Sequence, residues 1–165
     1  MPQNKYFIID FDSTLTQVGA LEELASISLK NNPNKADILA QIKEITNAGM
    51  EGRITITESL SKRLKLLQAD KAHLELLIRI LKRKITASFL RNKKFFRANR
   101  HNIFIISNGF KEFIVPVAKK FGILEKNIFA NTFIFDNKGK IIGFDEANVL
   151  SQEKGKIKKI VNLLI

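Results

Sequence analysis

A chain of 165 residues is long enough for one domain with its own core, and 45% hydrophobic with 27% charged residues is ordinary globular usage. The absence of cysteine excludes a disulfide framework, a thiolate zinc site, an iron–sulfur cluster and a cysteine nucleophile. The 28 lysines and arginines against 16 aspartates and glutamates, a net charge of +12, favour an anionic partner (nucleic acid, membrane surface or phosphorylated small molecule) without choosing among them.

Tyr6 to Ile9 is β-branched and aromatic, lacks a helical period and stops at Asp10, which predicts a buried strand. Leu21, Leu24 and Ile27 predict a first helix, and Ile38, Ile42 and Ile45 a second that stops near Gly49–Gly52. Thr55 with Glu58 is a capping-box pattern that opens a third helix through Leu60, Leu64 and Leu67. A fourth starts at Asp70 and carries Leu74, Leu77 and Leu81. A second buried strand, Ile103 to Ile106, stops at Ser107-Asn108-Gly109. Beyond it, Phe110 to Phe121 reads as a helix closed by Gly122 and kinked or restarted at Pro116. Ile128 to Ala130 is a short strand, and Asp136-Asn137-Lys138-Gly139 turns a hairpin between 132–135 and 140–144. A last helix covers about 152–164. The longest apolar runs, Ile103–Ile106 and Phe113–Ala118, are far below the ~20 residues of a membrane span. With no leader pattern in view, the expectation is a soluble cytoplasmic protein with no membrane partner. The layout is α/β: a parallel sheet interrupted early by a helical insert. In such sheets ligands sit at strand carboxyl ends, where Asp10 and Ser107 both fall.

Asp10 and Asp12 stand two residues apart directly after a strand. Neighbouring carboxylates repel, so the pair makes sense with a cation beside it, and an oxygen-ligated ion such as Mg²⁺ suits the residues better than zinc. The competing reading is a solvated acidic turn in which Thr14 is a cap. Ser107 and the N–H groups that follow it can cradle an anion, although Ser-Asn-Gly is also a common turn. Lys154, alone, reads as solvated.

In this order the three parts resemble the phosphatases of the haloacid dehalogenase superfamily, and within them the phosphoserine phosphatases. Asp10-Phe11-Asp12-Ser13-Thr14 matches the first motif, Ser107 the second and Lys154 the third; the stretch from Gly49 through Arg63 resembles the same subgroup. The resemblance implies a Rossmann-like parallel sheet with a helical-bundle cap inserted after the first strand. The core would be 1–16 and 82–165, the cap 17–81. It also implies a Mg²⁺-dependent hydrolysis of a small-molecule phosphomonoester, with O-phospho-L-serine the leading substrate. Asp10 would be the nucleophile that forms an aspartyl-phosphate, and Asp12 the acid and then the base, an acid the superfamily's dehalogenases lack. Ser107, Asn108, Lys154 and Thr14 would attend the phosphate and Arg63 the substrate carboxylate, while Asp10 and Asp12 would face the metal.

Two departures accompany the resemblance. The family's fourth motif, an acidic Gly-Asp-Gly loop after a further strand, has no counterpart before Ile165. The expectation is therefore a core lacking its carboxyl-terminal strands, with an exposed edge beside the Asp10 strand, weak Mg²⁺ binding and little turnover. In addition, Gly19 stands where the family has a glutamate for the substrate's amino group, and Glu22 or Glu23 would have to compensate.

Two other readings stand beside the enzyme. One is a pseudo-enzyme that keeps the fold alone. The other is a nucleic-acid module, because residues 79–100 hold nine cations and no acid, interleaved with Phe89, Phe95 and Phe96. Packed phenylalanines under a solvated cationic face are the simpler account of that stretch. His73 and His101 are isolated and receive no role, and a homodimer is an admissible assembly.

Overall fold

The computed structural model describes residues 5–164. Three strands, β1 (Phe7–Ile9), β2 (Ile103–Phe110) and β3 (Ile128–Asn131), form a parallel sheet in that order. Phe7 pairs with Ile103 and Ile9 with Ile105, while Ile105 and Ile106 face Ile128 and Phe129 of β3. A separate antiparallel hairpin, β4 (Phe133–Phe135) and β5 (Ile141–Phe144), follows β3.

Between β1 and β2 the chain makes the four expected cap helices, α1 (Ala20–Ser28), α2 (Lys35–Met50), α3 (Ile56–Leu67) and α4 (Lys71–Arg83), and then short α5 (Ala87–Arg91) and α6 (Lys93–Ala98). The capping box forms: the Thr55 hydroxyl accepts from the Glu58 N–H at 3.1 Å, and the Glu58 carboxylate accepts from the Thr55 N–H at 2.9 Å. Asp70 caps α4 by accepting the His73 N–H at 3.0 Å. After β2 come α7 (Lys111–Ala118) and, at the end, α8 (Gly155–Leu164).

The structure departs from expectation at four places. β2 does not stop at Ile106 but runs to Phe110, and its ladder with β3 slips on the way, so that Phe110 faces Asn131. α7 continues through Pro116 and tightens into a 3₁₀ turn only at Lys119–Phe121, which Gly122 closes at φ 74°. α8 starts at Gly155 rather than Gln152 because Asn148 caps a 3₁₀ turn at Val149–Ser151 first. Ile8 of the supposedly buried first strand is 39% exposed. Strand alternation turns it away from the face on which Phe7 meets Phe95, their ring centroids 5.1 Å apart.

One continuous apolar core joins cap and sheet, running from Leu24, Leu60 and Leu77 of the cap to Ile105 and Phe113 beneath the sheet. Phe11, Phe110, Phe113 and Phe121 are fully buried, and Phe110 stacks on Phe133 with centroids 3.7 Å apart. In the basic stretch Phe96 is buried, whereas Phe95, expected to pack, is 42% exposed although edge-on to Phe96. No helix among the described residues is long and apolar enough to cross a membrane.

Besides this shared core, hydrogen bonds tie the cap to the core at its root, at the hairpin and at the start of α3. At its root Thr16 bridges Ile85, the Gln17 N–H donates to Lys84 O at 2.8 Å and the Thr86 N–H to Leu15 O at 3.0 Å. Between α3 and α4, the Lys71 N–H donates to Gly139 O at 3.0 Å and the Ile141 N–H to Ala69 O at 2.9 Å, so main-chain hydrogen bonds join the hairpin to the cap. At the start of α3, the Thr57 hydroxyl donates to Ser151 O at 2.6 Å and the Ile56 N–H to the Glu153 carboxylate at 3.1 Å.

Asp70→Ala removes the cap of α4 beside the hairpin attachment, and it should lower unfolding free energy by about 1 kcal/mol, read as a fall of several degrees in the thermal midpoint.

Candidate active site

Asp10 is the first residue beyond β1, where it caps the tight turn Phe11–Leu15, and its Oδ1 accepts the Phe11 N–H at 2.7 Å. Ser13 then takes the left-handed conformation, φ 55°, and reverses the chain. The reversal returns the following chain to Asp12, whose Oδ1 accepts the Ala20 N–H at 2.7 Å at the start of α1. It also places Ser13 on the wall of the cleft.

At the end of β2 the chain bulges away from β3 over Ser107-Asn108-Gly109. Ser107 is buried and its hydroxyl accepts the Gly109 N–H at 3.0 Å. A Cβ on Gly109 would lie 3.2 Å from Asp12 Oδ2, from Ser107 Oγ and from Ile114 Cδ1, so glycine permits the two motifs to approach this closely. Asn108 lines the cleft while its side chain donates to Leu150 O at 2.6 Å.

The cleft encloses about 390 Å³ and is lined by Asp10, Asp12, Ser107 and Asn108 from the sheet and by Glu22 and Arg63 from the cap. The cation beside Asp10 is Lys156, whose Nζ lies 2.8 Å from Asp10 Oδ2. Lys154, the residue the motif order pointed to, is exposed with φ 56° and does not line the cleft. Gly155 explains the displacement. It is buried, a Cβ there would overlap Val149 O, and the residue that turns inward after it is Lys156. Thr14 is likewise not brought in. The Ser13 reversal leaves it exposed at the cap root, where its carbonyl accepts the Thr86 hydroxyl at 2.7 Å.

On the cap side, Arg63 Nη1 lies 3.8 Å from Glu22 Oε1, and the Thr46 hydroxyl donates to that oxygen at 2.8 Å. Gly19 is at the cleft wall as expected, and Glu22 reaches across it, so that a Cβ on Gly19 would overlap Glu22 Oε2. One turn of α1 therefore returns a carboxylate to the place where a side chain at position 19 would begin. His73 serves the α4 cap and His101 lies beside Arg100, both away from the cleft.

The acids differ in electrostatic state. Burial lifts Asp12 from 3.8 to about 6, and the neighbouring charges of Glu22 and Asp10 push the same way. The Ala20 N–H and Arg63 oppose the rise. Asp10 has a donor on each oxygen, Phe11 N–H and Lys156. As metal ligands the pair supplies hard oxygen donors, and the described residues hold no cluster of three or more acidic or histidine side chains. That set suits an ion such as magnesium, which keeps several waters and takes one or two carboxylates plus a substrate phosphate.

Sequence reasoning placed Asp10, Asp12, Ser107, Asn108 and Arg63 in the cleft, and missed Lys156, Ser13 and Thr46. The Lys154-Gly155-Lys156 tandem held the signal for Lys156 without a way to choose between the two lysines.

No family model matches the chain. Among curated proteins, it is 32% identical over 151 residues to the chloroplastic phosphoserine phosphatase of Arabidopsis thaliana, a match covering 92% of this chain and 48% of that protein. The chain thus spans about half the length of that relative. Among solved structures, a phosphoserine phosphohydrolase-like protein from Francisella tularensis superposes with a TM-score of 0.81 at 30% identity, covering 98% of this chain and 74% of that one. A phospho-aspartyl intermediate analogue of a phosphoserine phosphatase superposes at 0.68 with 26% identity, covering 97% of this chain and 72% of that one.

The raised Asp12 pKa has a stability consequence. Between about pH 4 and 6 the folded chain keeps a proton that the unfolded chain has released, so this group's contribution to stability falls as pH rises through that window. Asp12→Asn removes the titration and keeps an acceptor for Ala20. The variant's thermal midpoint relative to the parent should climb from pH 4 to 6 and level off above; a difference that stays flat refutes the buried-acid assignment.

Proposed function

This chain belongs to the haloacid dehalogenase superfamily, among its phosphoserine-phosphatase-like proteins, and from that premise we propose that it hydrolyses a phosphomonoester by way of an aspartyl-phosphate on Asp10. The observation that carries the reading is the contrast between the two acids of one cleft: Asp10 paired with Lys156 at 2.8 Å, and Asp12 lifted to about 6 by burial. A general acid must enter the reaction protonated, which the raised Asp12 favours, and an anionic nucleophile gains from a cation beside it, which Lys156 supplies to Asp10.

In the first step an Asp10 carboxylate oxygen attacks phosphorus in line, the bond from phosphorus to the ester oxygen breaks, and the Asp12 proton passes to the leaving alkoxide. In the second step Asp12, now a carboxylate, takes a proton from water. The water oxygen attacks phosphorus, the bond to Asp10 breaks, and inorganic phosphate leaves. Lys156 offsets the repulsion between an anionic nucleophile and an anionic ester, while Ser107 and the Asn108 N–H hold phosphate oxygens. Magnesium, held by Asp10 and the Asp12 carbonyl, would supply further charge neutralisation at the phosphate. Ser13 lines the same wall.

The proposed substrate is O-phospho-L-serine. Arg63 would take its carboxylate and Glu22 its ammonium group. The two side chains face each other in the cap, and a zwitterion satisfies both charges. This reading includes a small-molecule phosphomonoester as partner and a cytoplasmic location.

Magnesium with beryllium fluoride, a mimic of the phosphorylated carboxylate, should raise the thermal midpoint well above either component alone, and Asp10→Asn should abolish the response. Lys156→Ala should blunt it more than Lys154→Ala. An unresponsive parent chain overturns the function, and a larger loss from Lys154→Ala overturns the lysine assignment. For the substrate, Glu22→Gln should raise KM for phosphoserine by about tenfold, in keeping with one lost charge-assisted hydrogen bond, and leave unchanged the KM for the same ester without the amino group. Equal effects on both esters exclude ammonium recognition by Glu22.

A further inference from the structure

Three asparagine side chains form a circuit around the Ser107–Gly109 bulge. The Asn131 amide donates to Asn108 O at 2.8 Å, and the Asn108 amide donates to Leu150 O at 2.6 Å. The Leu150 N–H in turn donates to Asn148 Oδ1 at 3.0 Å, and the Asn148 amide donates to Ala130 O at 2.9 Å, one residue before Asn131. The circuit thus ties together the end of β3, the bulge of β2 and the turn that leads to Lys156.

Asn131 is the member whose position is hardest to explain by packing. It is fully buried at the end of a strand, and its Oδ1 has no hydrogen-bond partner among the described residues. A buried amide with an unsatisfied oxygen is destabilising by itself, so the donor half must do something the fold requires. The register shows what that is. Two residues of β3, Phe129 and Asn131, face Ile106 and Phe110 of β2, so the stretch between them on β2 has more carbonyls than the β3 main chain can meet. The Asn131 side chain supplies the missing donor at Asn108. Its own backbone is fixed two residues on, where the Phe133 N–H donates to the Glu112 carboxylate at 3.0 Å in the first turn of α7.

We propose that Asn131 is a positioning residue for phosphate binding, acting through the Asn108 peptide whose orientation it sets. The assignment rests on the proposed role of the Ser107–Gly109 bulge as the phosphate cradle. Asn131 touches no substrate. It fixes the plane of the peptide that joins Asn108 to Gly109, whose N–H donates to the Ser107 hydroxyl at 3.0 Å, and so sets the Ser107 end of the cradle; the Asn108 side chain, held on the Leu150 carbonyl, keeps the same residue in step with the turn that leads to Lys156.

The test compares Asn131→Asp, isosteric but without the donor, and Asn131→Ala, which introduces no charge, with Asn127→Asp. Asn127 is also a buried asparagine whose amide donates to main-chain oxygens, those of Arg100, His101 and Ile103, far from the cleft. Amide hydrogen exchange at 107–109 in the ligand-free chain and stabilisation by orthophosphate with magnesium are measured for each. Both Asn131 variants should speed exchange at the bulge and weaken apparent phosphate affinity by about tenfold, the equivalent of one lost hydrogen bond. Asn127→Asp should lower the thermal midpoint while leaving both readouts at the parent's values. Parent-like exchange and phosphate response in the Asn131 variants, or the same losses in Asn127→Asp, overturn the assignment. A parent chain blind to phosphate overturns the proposed function instead, and the exchange rates then decide the role of Asn131 by themselves.

Discussion

Everything in the cleft depends on placing three carboxylates, Asp10, Asp12 and Glu22, within one small volume without letting their repulsion open it. The structure gives each a different remedy. Asp10 receives a backbone N–H on one oxygen and Lys156 on the other. Asp12 is half-buried, its carboxyl desolvated enough to hold its proton up to about pH 6, so it adds little negative charge in acid solution. Glu22 leans on Arg63 and on the Thr46 hydroxyl. These remedies are also a division of chemical labour, since a paired acid, a neutral acid and an acid facing a guanidinium suit attack, proton transfer and recognition respectively.

The backbone makes that proximity possible through two irregularities rather than through regular strands. A left-handed Ser13 folds the first motif back on itself, and a slipped ladder lets β2 throw out the second. Gly109 is where the two meet, and a Cβ there would crowd Asp12 Oδ2 and Ser107 Oγ at 3.2 Å. A third irregularity, left-handed Lys154 before a buried Gly155, delivers Lys156. Regular sheet and helix hold these three turns at the carboxyl end of the sheet, as open α/β folds do.

The elements themselves were readable because their signals are local. The caps at Thr55 and Asp70, the apolar periods of α1 to α4 and the Asp136–Gly139 turn each name their element within a few residues. The site was readable where a motif fixes the residue, as for Asp10, Asp12 and Ser107. It was not readable where choice depends on geometry between distant segments. Lys154 and Lys156 are equivalent on paper, and only the contact of Gly155 with the Val149 carbonyl separates them. Thr14 matches its motif, but the reversal at Ser13 turns it toward the cap root. Asn131 carries no signal at all, because its meaning arises from a register slip with a strand more than twenty residues earlier.

The three attachments of the cap are unequal in kind, and this bears on how a ligand could reach a cleft that is roofed by α1 to α3. The root and the hairpin attachments each include main-chain to main-chain hydrogen bonds, part of the folded frame. The contacts at the start of α3 run through the Thr57 hydroxyl and the Glu153 carboxylate, two groups that water can replace at small cost. The start of α3 is thus the attachment that runs through side chains, and Arg63, which faces Glu22 across the cleft, is carried on that same helix.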